Sequence, residues 1–326
     1  MKALALLSGG LDSTLAVKLM LEQGVSVEAV NFVTPFCLCR KGGCGALEAA
    51  EAFNVPLKVF SVGADYLRIV RNPKFGYGKN LNPCVDCRIF MLKKAKRYAR
   101  EIGAKFIFTG EVLGQRPMSQ HRQVLGVIER EAGLEGKIVR PLSAKLLPKT
   151  EAAQMGLIDS GKLGDIEGRS RKRQIEMARE FNIIKYPCPA GGCLLTEKEF
   201  AKRLRDLFGH KKRVSVRDVN FLKVGRHFRL GKNKIIVGRD EAENGVLQRT
   251  KQVNDYYFEV PDSGSPITVL QGPKTKRAIQ KAAFLTAFYS DKKCEKVTVN
   301  FGKGSLNNHI TVALPSRKEV EQLRLS

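Results

Sequence analysis

Short apolar runs alternate with longer stretches whose apolar residues recur every three or four positions, and this alternation organises the first half of the chain. Ala3–Leu7, Val25–Val33, Pro56–Val62, Phe106–Thr109 and Ile138–Leu142 have the length and composition of buried strands. Asp12–Gln23, Leu47–Phe53, Arg88–Ile102 and Thr150–Ile158 lie between or after them and read as helices. Strand and helix taking turns predicts an α/β fold, a doubly wound parallel sheet covered on both faces. Ligands of such sheets sit beyond the carboxyl ends of the strands.

A charged helical stretch, Arg169–Phe181, leads into Tyr186-Pro-Cys-Pro-Ala-Gly-Gly-Cys193, where prolines and glycines enforce a loop. A helix with Phe200, Leu204 and Leu207 on one face then closes a first domain expected to span 1–208. Val214–Gly238 and Tyr256–Leu270 read as strand-rich, Lys274–Tyr289 as a helix, and Lys296–Ala313 as further strand. Residues 209–326 are therefore expected to form a smaller α+β domain.

Composition adds a partner to this picture. The chain of 326 residues is 43% hydrophobic, and no run reaches the roughly 18 apolar residues of a membrane span. The apolar start Met1–Leu7 breaks at Ser8-Gly9-Gly10 and is followed by Asp12, unlike a secretory leader, so a cytoplasmic protein is expected. Lys and Arg number 57 against 32 acids, a formal charge of +25. Residues 201–326 hold 26 basic and 12 acidic side chains, a net of +14, which makes the shorter segment the more charge-dense. Such a surplus points to a polyanion, with nucleic acid the common case; a solubilising coat would be spread more evenly.

Seven of the eight cysteines fall in tight groups: Cys37, Cys39 and Cys44; Cys84 and Cys87; Cys188 and Cys193. In a cytoplasmic chain, grouping of this kind signals metal or sulfur chemistry more than structural disulfides. Cys294 stands alone, as small buried cysteines commonly do.

Ser8-Gly9-Gly10-Leu11-Asp12-Ser13-Thr14 lies between the first strand and the first helix. Two glycines let the backbone approach an anion, and hydroxyls with the free N–H groups of a helix start can hold phosphate oxygens. Asp12 would repel phosphate unless Mg2+ lies between them. An ordinary capped turn has the same composition.

This loop resembles that of the PP-loop (N-type) ATP pyrophosphatases, which cleave ATP to AMP and pyrophosphate while adenylating a carbonyl oxygen. Asn82-Pro83-Cys84-Val85-Asp86-Cys87 resembles a segment of the tRNA 2-thiouridylases, and so does Gly191-Gly192-Cys193-Leu194-Leu195-Thr196 with Phe200. Thr109-Gly110-Glu111-Val112-Leu113-Gly114-Gln115, continuing to Ser119-Gln120, is similar to a stretch of the 4-thiouridine synthetases. The resemblance implies ATP at Ser8 to Thr14 with Asn31, Gly110 and Gln115, and Asp12 as a catalytic group with Mg2+. It implies tRNA as substrate, a uridine carbonyl oxygen as the atom replaced, and a sulfide or persulfide carrier as sulfur donor.

Two sulfur chemistries remain open under that resemblance. Cys87 and Cys193 would form a persulfide and its resolving partner. Alternatively Cys84, Cys87 and Cys193 would hold a [4Fe-4S] cluster with one iron open, the form that a full C-x-x-C resembles. A structural zinc is the plainer reading of any C-x-x-C, and Zn2+ on Cys37, Cys39 and Cys44 is the leading reading of that group.

Lys234-Ile-Ile-Val-Gly238-Arg239-Asp240-Glu-Ala-Glu-Asn244 is similar to the core of the NFACT-R domain, an RNA-binding module. Between Lys211 and Lys234 lie nine basic residues and one acid, with Phe221 and Phe228 interleaved. Lys211, Lys212, Arg213, Arg226, Arg229 and Lys232 are the expected phosphate contacts, with Arg169, Arg171, Lys172 and Arg173 as further candidates. The two phenylalanines read better as core than as stacking platforms. An amide or lysidine ligase, a non-catalytic RNA-binding protein and a small-molecule sulfur transferase are the rival functions.

Overall fold

The computed structural model describes residues 1–37, 45–183, 186 and 193–325. They form two compact units, Met1–Thr196 and Glu197–Ser326. The division falls before the helix expected to close the first domain near 208, because that helix clusters with the second unit.

In the first unit, β1 (Lys2–Leu6), α1 (Leu11–Glu22), β2 (Ser26–Val33), α2 (Ala46–Ala52) and β3 (Leu57–Ser61) follow the expected alternation. Next come α3 (Ala64–Arg71), α4 (Cys84–Glu101), β4 (Ile107–Thr109), α5 (Arg122–Ala132), β5 (Ile138–Val139), α6 (Glu151–Gln154) and α7 (Lys172–Glu180). The sheet is parallel, in the order β3-β2-β1-β4-β5. The chain therefore leaves β1 in one direction and returns on its other side with β4, so the crevice beyond the carboxyl end of β1 opens beside the phosphate loop.

Side chains that alternate along each strand serve two cores. Ala3, Ala5, Val27, Ala29, Phe106 and Phe108 meet Ala16, Val17 and Met20 of α1 and Ala50 of α2. On the opposite face Leu4, Val30, Ile107 and Ile138 meet Ile89, Leu92 and Ala95 of α4 and Ile128 of α5. The expected helix at 88–102 begins earlier, at Cys84, so the C-x-x-C occupies its first turn.

The second unit holds α8 (Lys198–His210), α9 (Val216–Phe221), β6 (Arg226–Leu230), β7 (Asn233–Val237), α10 (Glu241–Thr250), β8 (Tyr256–Glu259) and β9 (Thr268–Gln271). It ends with α11 (Lys276–Tyr289), β10 (Lys296–Gly302), β11 (Asn308–Ala313) and α12 (Arg317–Gln322). Its sheet is antiparallel throughout, in the order β11-β10-β8-β9-β7-β6. Ala278, Ala282 and Ala283 of α11 pack on one face with Phe228, Ile235 and Val299. Phe221 and Leu247 cover the other face with Ile236 and Val269. Phe221 and Phe228 are thus both core residues. The region 214–221, expected as strand, is helical because Ser215 and Asp218 form a capping box at the start of α9. No helix among the described residues is long and apolar enough to cross a membrane.

Candidate functional site

The phosphate loop is built by hydroxyls turned onto their own backbone. Ser13 Oγ donates to the Gly10 carbonyl at 2.9 Å and accepts from the Ser8 N–H at 3.2 Å, while the Ser8 and Ser13 hydroxyls lie 3.1 Å apart. The Thr14 hydroxyl also reaches the Gly10 carbonyl, at 3.1 Å. Ser13 and Thr14 are buried, leaving Ser8 as the exposed hydroxyl. Leu11 is core, its side chain packed with Leu15 and Val112.

Two glycines allow this loop to exist. Gly9 has a φ of +76°, and a Cβ there would fall 2.1 Å from the Ala46 N at the start of α2. A Cβ on Gly110 would fall 2.4 Å from the Ser13 N, so the carboxyl end of β4 presses against the first turn of α1. Asn31 is buried in β2 and donates its amide to the Leu7 carbonyl at 2.8 Å, which fixes the strand entering the loop.

Asp12 stands at the helix start with Arg171 at 3.6 Å. Burial raises its carboxyl above the ordinary value, against the opposing pull of Arg171, Gln115, Arg116 and Gln174. Its Oδ1 is buried without a hydrogen-bond partner among the described residues, and so are Gln115 Nε2, Arg171 Nη1 and both amide atoms of Gln174. Arg171, expected as an RNA contact, is therefore part of the loop's surroundings. Arg173 is exposed and pairs with Glu176 and Glu180 along α7. Arg169 and Lys172 are exposed.

Glu111 follows Gly110 and is almost fully buried between Arg88 at 3.3 Å and Arg140 at 3.1 Å, with Thr109 donating to it. Burial alone would raise its carboxyl; the two guanidiniums hold it below the usual range. Arg140 also pairs with Glu129. This network locks the end of β4 to α4, α5 and β5. A cavity of about 290 Å³ lined by Arg122, Glu129, Arg140 and Thr150 shares no lining residue with the loop.

The thiols gather near the same rim. Cys84 and Cys87 share the first turn of α4, and Cys37 forms an antiparallel bridge with Cys193. Cys87 lies within electrostatic reach of Cys84 and Cys37, and Cys193 within reach of all three. Burial pushes the Cys84 thiol up, opposed by Arg116 and Arg88. Cys193 is pushed up to about 12, first by burial and then by the neighbouring thiols. The Tyr66 hydroxyl, itself buried, donates to Cys87 Sγ at 3.1 Å. Sequence reasoning missed Tyr66, although its place in the amphipathic run 64–71 was a signal for a helix packed against α4. Cys39 and Cys44 lie outside the described residues, as does Cys188. Among the described residues no three His, Cys, Asp or Glu side chains converge as for one metal ion.

The basic residues of the second unit divide into two kinds. Arg229 makes a two-pronged pair with Asp206, its Nε donating to Oδ1 at 2.8 Å. Arg226 donates to the Gly238 carbonyl at 3.0 Å and stacks 4.4 Å from the centre of the Tyr289 ring. Both were expected to face phosphate and are instead committed within the unit. Lys211 pairs with Asp218 at 2.7 Å. Lys212, Arg213 and Lys232 are exposed. The Gly238 to Asn244 motif is architectural: Asp240 caps α10, Arg239 pairs with Glu243, and Asn244 Oδ1 accepts from the Ile267 N–H at 2.9 Å.

Comparison with known proteins divides the chain in the same way. Residues 1–146 match the family model described as thiamine biosynthesis protein (ThiI), and residues 225–324 match that of the NFACT protein RNA binding domain. A probable tRNA sulfurtransferase of Thermococcus kodakarensis is 34% identical over 150 residues, 43% of this chain and 36% of that protein. A tRNA-specific 2-thiouridylase of Francisella philomiragia is 24% identical over 68% of this chain and 62% of its own length. The matched stretch thus spans about a third of the Thermococcus relative's length. Among solved structures, a 4-thiouridine synthetase bound to RNA and ATP aligns over 56% of this chain and 51% of its own, with 23% identity and a TM-score of 0.34. The U34-tRNA thiolase NcsA of Methanococcus maripaludis, with its [4Fe-4S] cluster, aligns over 64% and 67%, with 19% identity and a TM-score of 0.35.

Proposed function

We propose that the chain is an ATP-dependent tRNA sulfurtransferase, which adenylates a uridine carbonyl oxygen and replaces that oxygen with sulfur. One observation carries this reading: Gly110 presses on the first turn of α1 at Asp12 and Ser13, while the next residue, Glu111, pairs at 3.3 Å with Arg88, which follows Cys87 in α4, so activation and sulfur chemistry share one rim of the sheet. The names of the matched relatives agree with it.

The exposed Ser8 hydroxyl and the N–H groups at the start of α1 would hold ATP phosphates, as helix starts do for anions. The orphaned Asp12 Oδ1 is the kind of acceptor that Mg2+ satisfies, and Arg116 and Arg171 would steady the charge that develops on pyrophosphate. Cys84, Cys87 and Cys193 would hold an iron–sulfur cluster. A C-x-x-C in the first turn of α4 with a third cysteine from a remote segment suits a cluster, whose irons take separate thiolates. Such a cluster would supply an iron without a protein ligand, open to sulfide. In its absence Cys87 and Cys193 remain as candidate persulfide carriers, and Tyr66 would steady the Cys87 thiolate in either case. The exposed Lys212, Arg213 and Lys232 would meet the tRNA backbone, which is where the net charge of 209–326 supports binding.

The test is pyrophosphate release from ATP with bulk tRNA, with free amines, and with no acceptor, followed by nucleoside analysis of the tRNA. Release that depends on tRNA and yields a thionucleoside supports the assignment. Release that depends on an amine would transfer the chain to the ligases.

A further inference from the structure

We propose that Cys37 is the resolving thiol of this site and closes a disulfide with Cys193; the proposal rests on the persulfide form of the thiolation reading above, in which no cluster occupies Cys193. In sequence Cys37 belongs with Cys39 and Cys44, yet its backbone partner is Cys193, far along the chain. The Leu194 N–H donates to the Phe36 carbonyl at 3.0 Å. That bond joins the residue after Cys193 to the residue before Cys37, which makes the two cysteines a non-hydrogen-bonded antiparallel pair. Opposed residues of such a pair have Cα atoms about 4.5 Å apart and side chains on the same face, within the roughly 4.4–6.8 Å that disulfides span.

The surroundings suit exchange. Neither thiol is fully buried, so each is open to a reactant. The Thr34 N–H donates to Cys37 Sγ at 3.3 Å, with the Thr34 hydroxyl 3.4 Å away. These contacts orient the sulfur. Cys87, the partner suggested by sequence, instead receives the Tyr66 hydroxyl.

The step balances as follows. A Cys193 persulfide attacks the adenylated uridine carbon through its terminal sulfur; the C–S bond forms, and the C–O bond breaks with its electron pair leaving on AMP. The uridine is then joined through sulfur to Cys193. The Cys37 thiolate attacks Cys193 Sγ, forming the Cys37–Cys193 bond and breaking the bond to the uridine sulfur, which departs with the electron pair as thiouridine. Two thiols are oxidised and one sulfane sulfur is reduced. A dithiol reductant restores the pair by thiol–disulfide exchange.

The full chain, treated with chelator to remove iron, is oxidised with diamide, alkylated and digested without reduction for mass spectrometry. Cys37 joined to Cys193 is expected as the main product, unchanged in Cys87→Ser and absent in Cys37→Ser. Cys193 joined mainly to Cys87 or Cys84, or Cys37 joined to Cys39 or Cys44, would overturn the pairing whatever the enzyme's activity. In a single turnover with ATP, tRNA and polysulfide, Cys37→Ser should accumulate tRNA bound to the protein and released by dithiothreitol. Thiouridine formed by Cys37→Ser at the wild-type rate, with no trapped adduct, would remove Cys37 from the reaction. Wild-type protein that closes the disulfide but makes no thiouridine would instead sink the thiolation reading.

Discussion

Both units bury polar atoms that lack hydrogen-bond partners among the described residues, but they do so in different settings. In the first unit one group of orphans surrounds Asp12: its own Oδ1, Gln115, Arg171 and Gln174, at the carboxyl rim of the parallel sheet, while Glu111, Gln120 and Arg140 hold further orphaned atoms sealed from solvent. Asp12 keeps 16% and Arg171 23% of its side chain exposed, so the shortfall opens toward solvent and can be met by a ligand. In the second unit the orphans are Arg203 Nε, His227 Nδ1 and Lys234 Nζ, grouped around the Asp206–Arg229 pair. His227 and Lys234 are only 2% and 5% exposed. The deficit around Asp12 therefore marks a binding place, whereas the sealed deficits of either unit are a stability burden.

The sharpest way to break this contrast is at Asp12. Asp12→Ala should lower pyrophosphate release by roughly 10²-fold or more, the scale of losing a preorganised charge at a reacting phosphate, with the thermal midpoint unchanged. Wild-type release would make the rim deficit as inert as the sealed one.

Asp206→Asn should do the reverse. It strips the counter-charge from Arg229 and Lys234 and should destabilise the second unit by about 3–5 kcal/mol, as breaking a buried pair does, while pyrophosphate release persists. Urea-dependent proteolysis, with fragments assigned by mass, measures this unit by unit. Asp206 is held below its ordinary value by Arg229, Lys234 and His210 against the opposing effect of burial. Its stabilisation is thus present above the unfolded carboxyl value and lost as pH falls through the folded one.

Lys234 gives a smaller effect in the same direction, at higher pH. Burial lowers its ammonium to about 8 despite Asp206. Between that value and the unfolded lysine value near 10.4 the unfolded chain binds more protons, so stability of the second unit should rise with pH across this window. Lys234→Met should flatten the rise in the same proteolysis assay; an unchanged slope would remove Lys234 as its source.

The smallest effect belongs to the exposed cations. Lys232→Ala should reduce the slope of log affinity for tRNA against log salt by at most about 0.9, with no change in the unfolding of the second unit. Arg229→Ala should instead destabilise the unit, because Arg229 is bound to Asp206. Equal behaviour of the two variants would erase the distinction between surface and internal cations.

Periodicity placed every strand of the parallel sheet within a residue or two, except β5, whose expected run to Leu142 shortens to two residues. Its apolar pattern was real: Leu142 is buried, packed with Leu11 and Val112 in a loop. The helices α3, α5, α10 and α12 escaped notice, although α3 and α5 carry clear apolar stripes through Tyr66, Leu67 and Val70 and through Leu125, Ile128 and Ala132. At the site, the loop and the C-x-x-C were legible because local chemistry dictates both. What could not be read was long-range placement: Tyr66 beside Cys87, Cys37 opposite Cys193, and Arg171 beside Asp12 are each set by the tertiary fold. Charge density likewise identified the basic segment but not which cations are already paired, since Asp206 precedes that segment in sequence.

The close approach at Gly9 has a mechanical meaning. Its backbone touches Gly45 and Ala46 so tightly that any shift of the loop must be passed to the start of α2. A side chain at residue 9 would have to part the loop from α2, so glycine there is what lets the two elements share one wall.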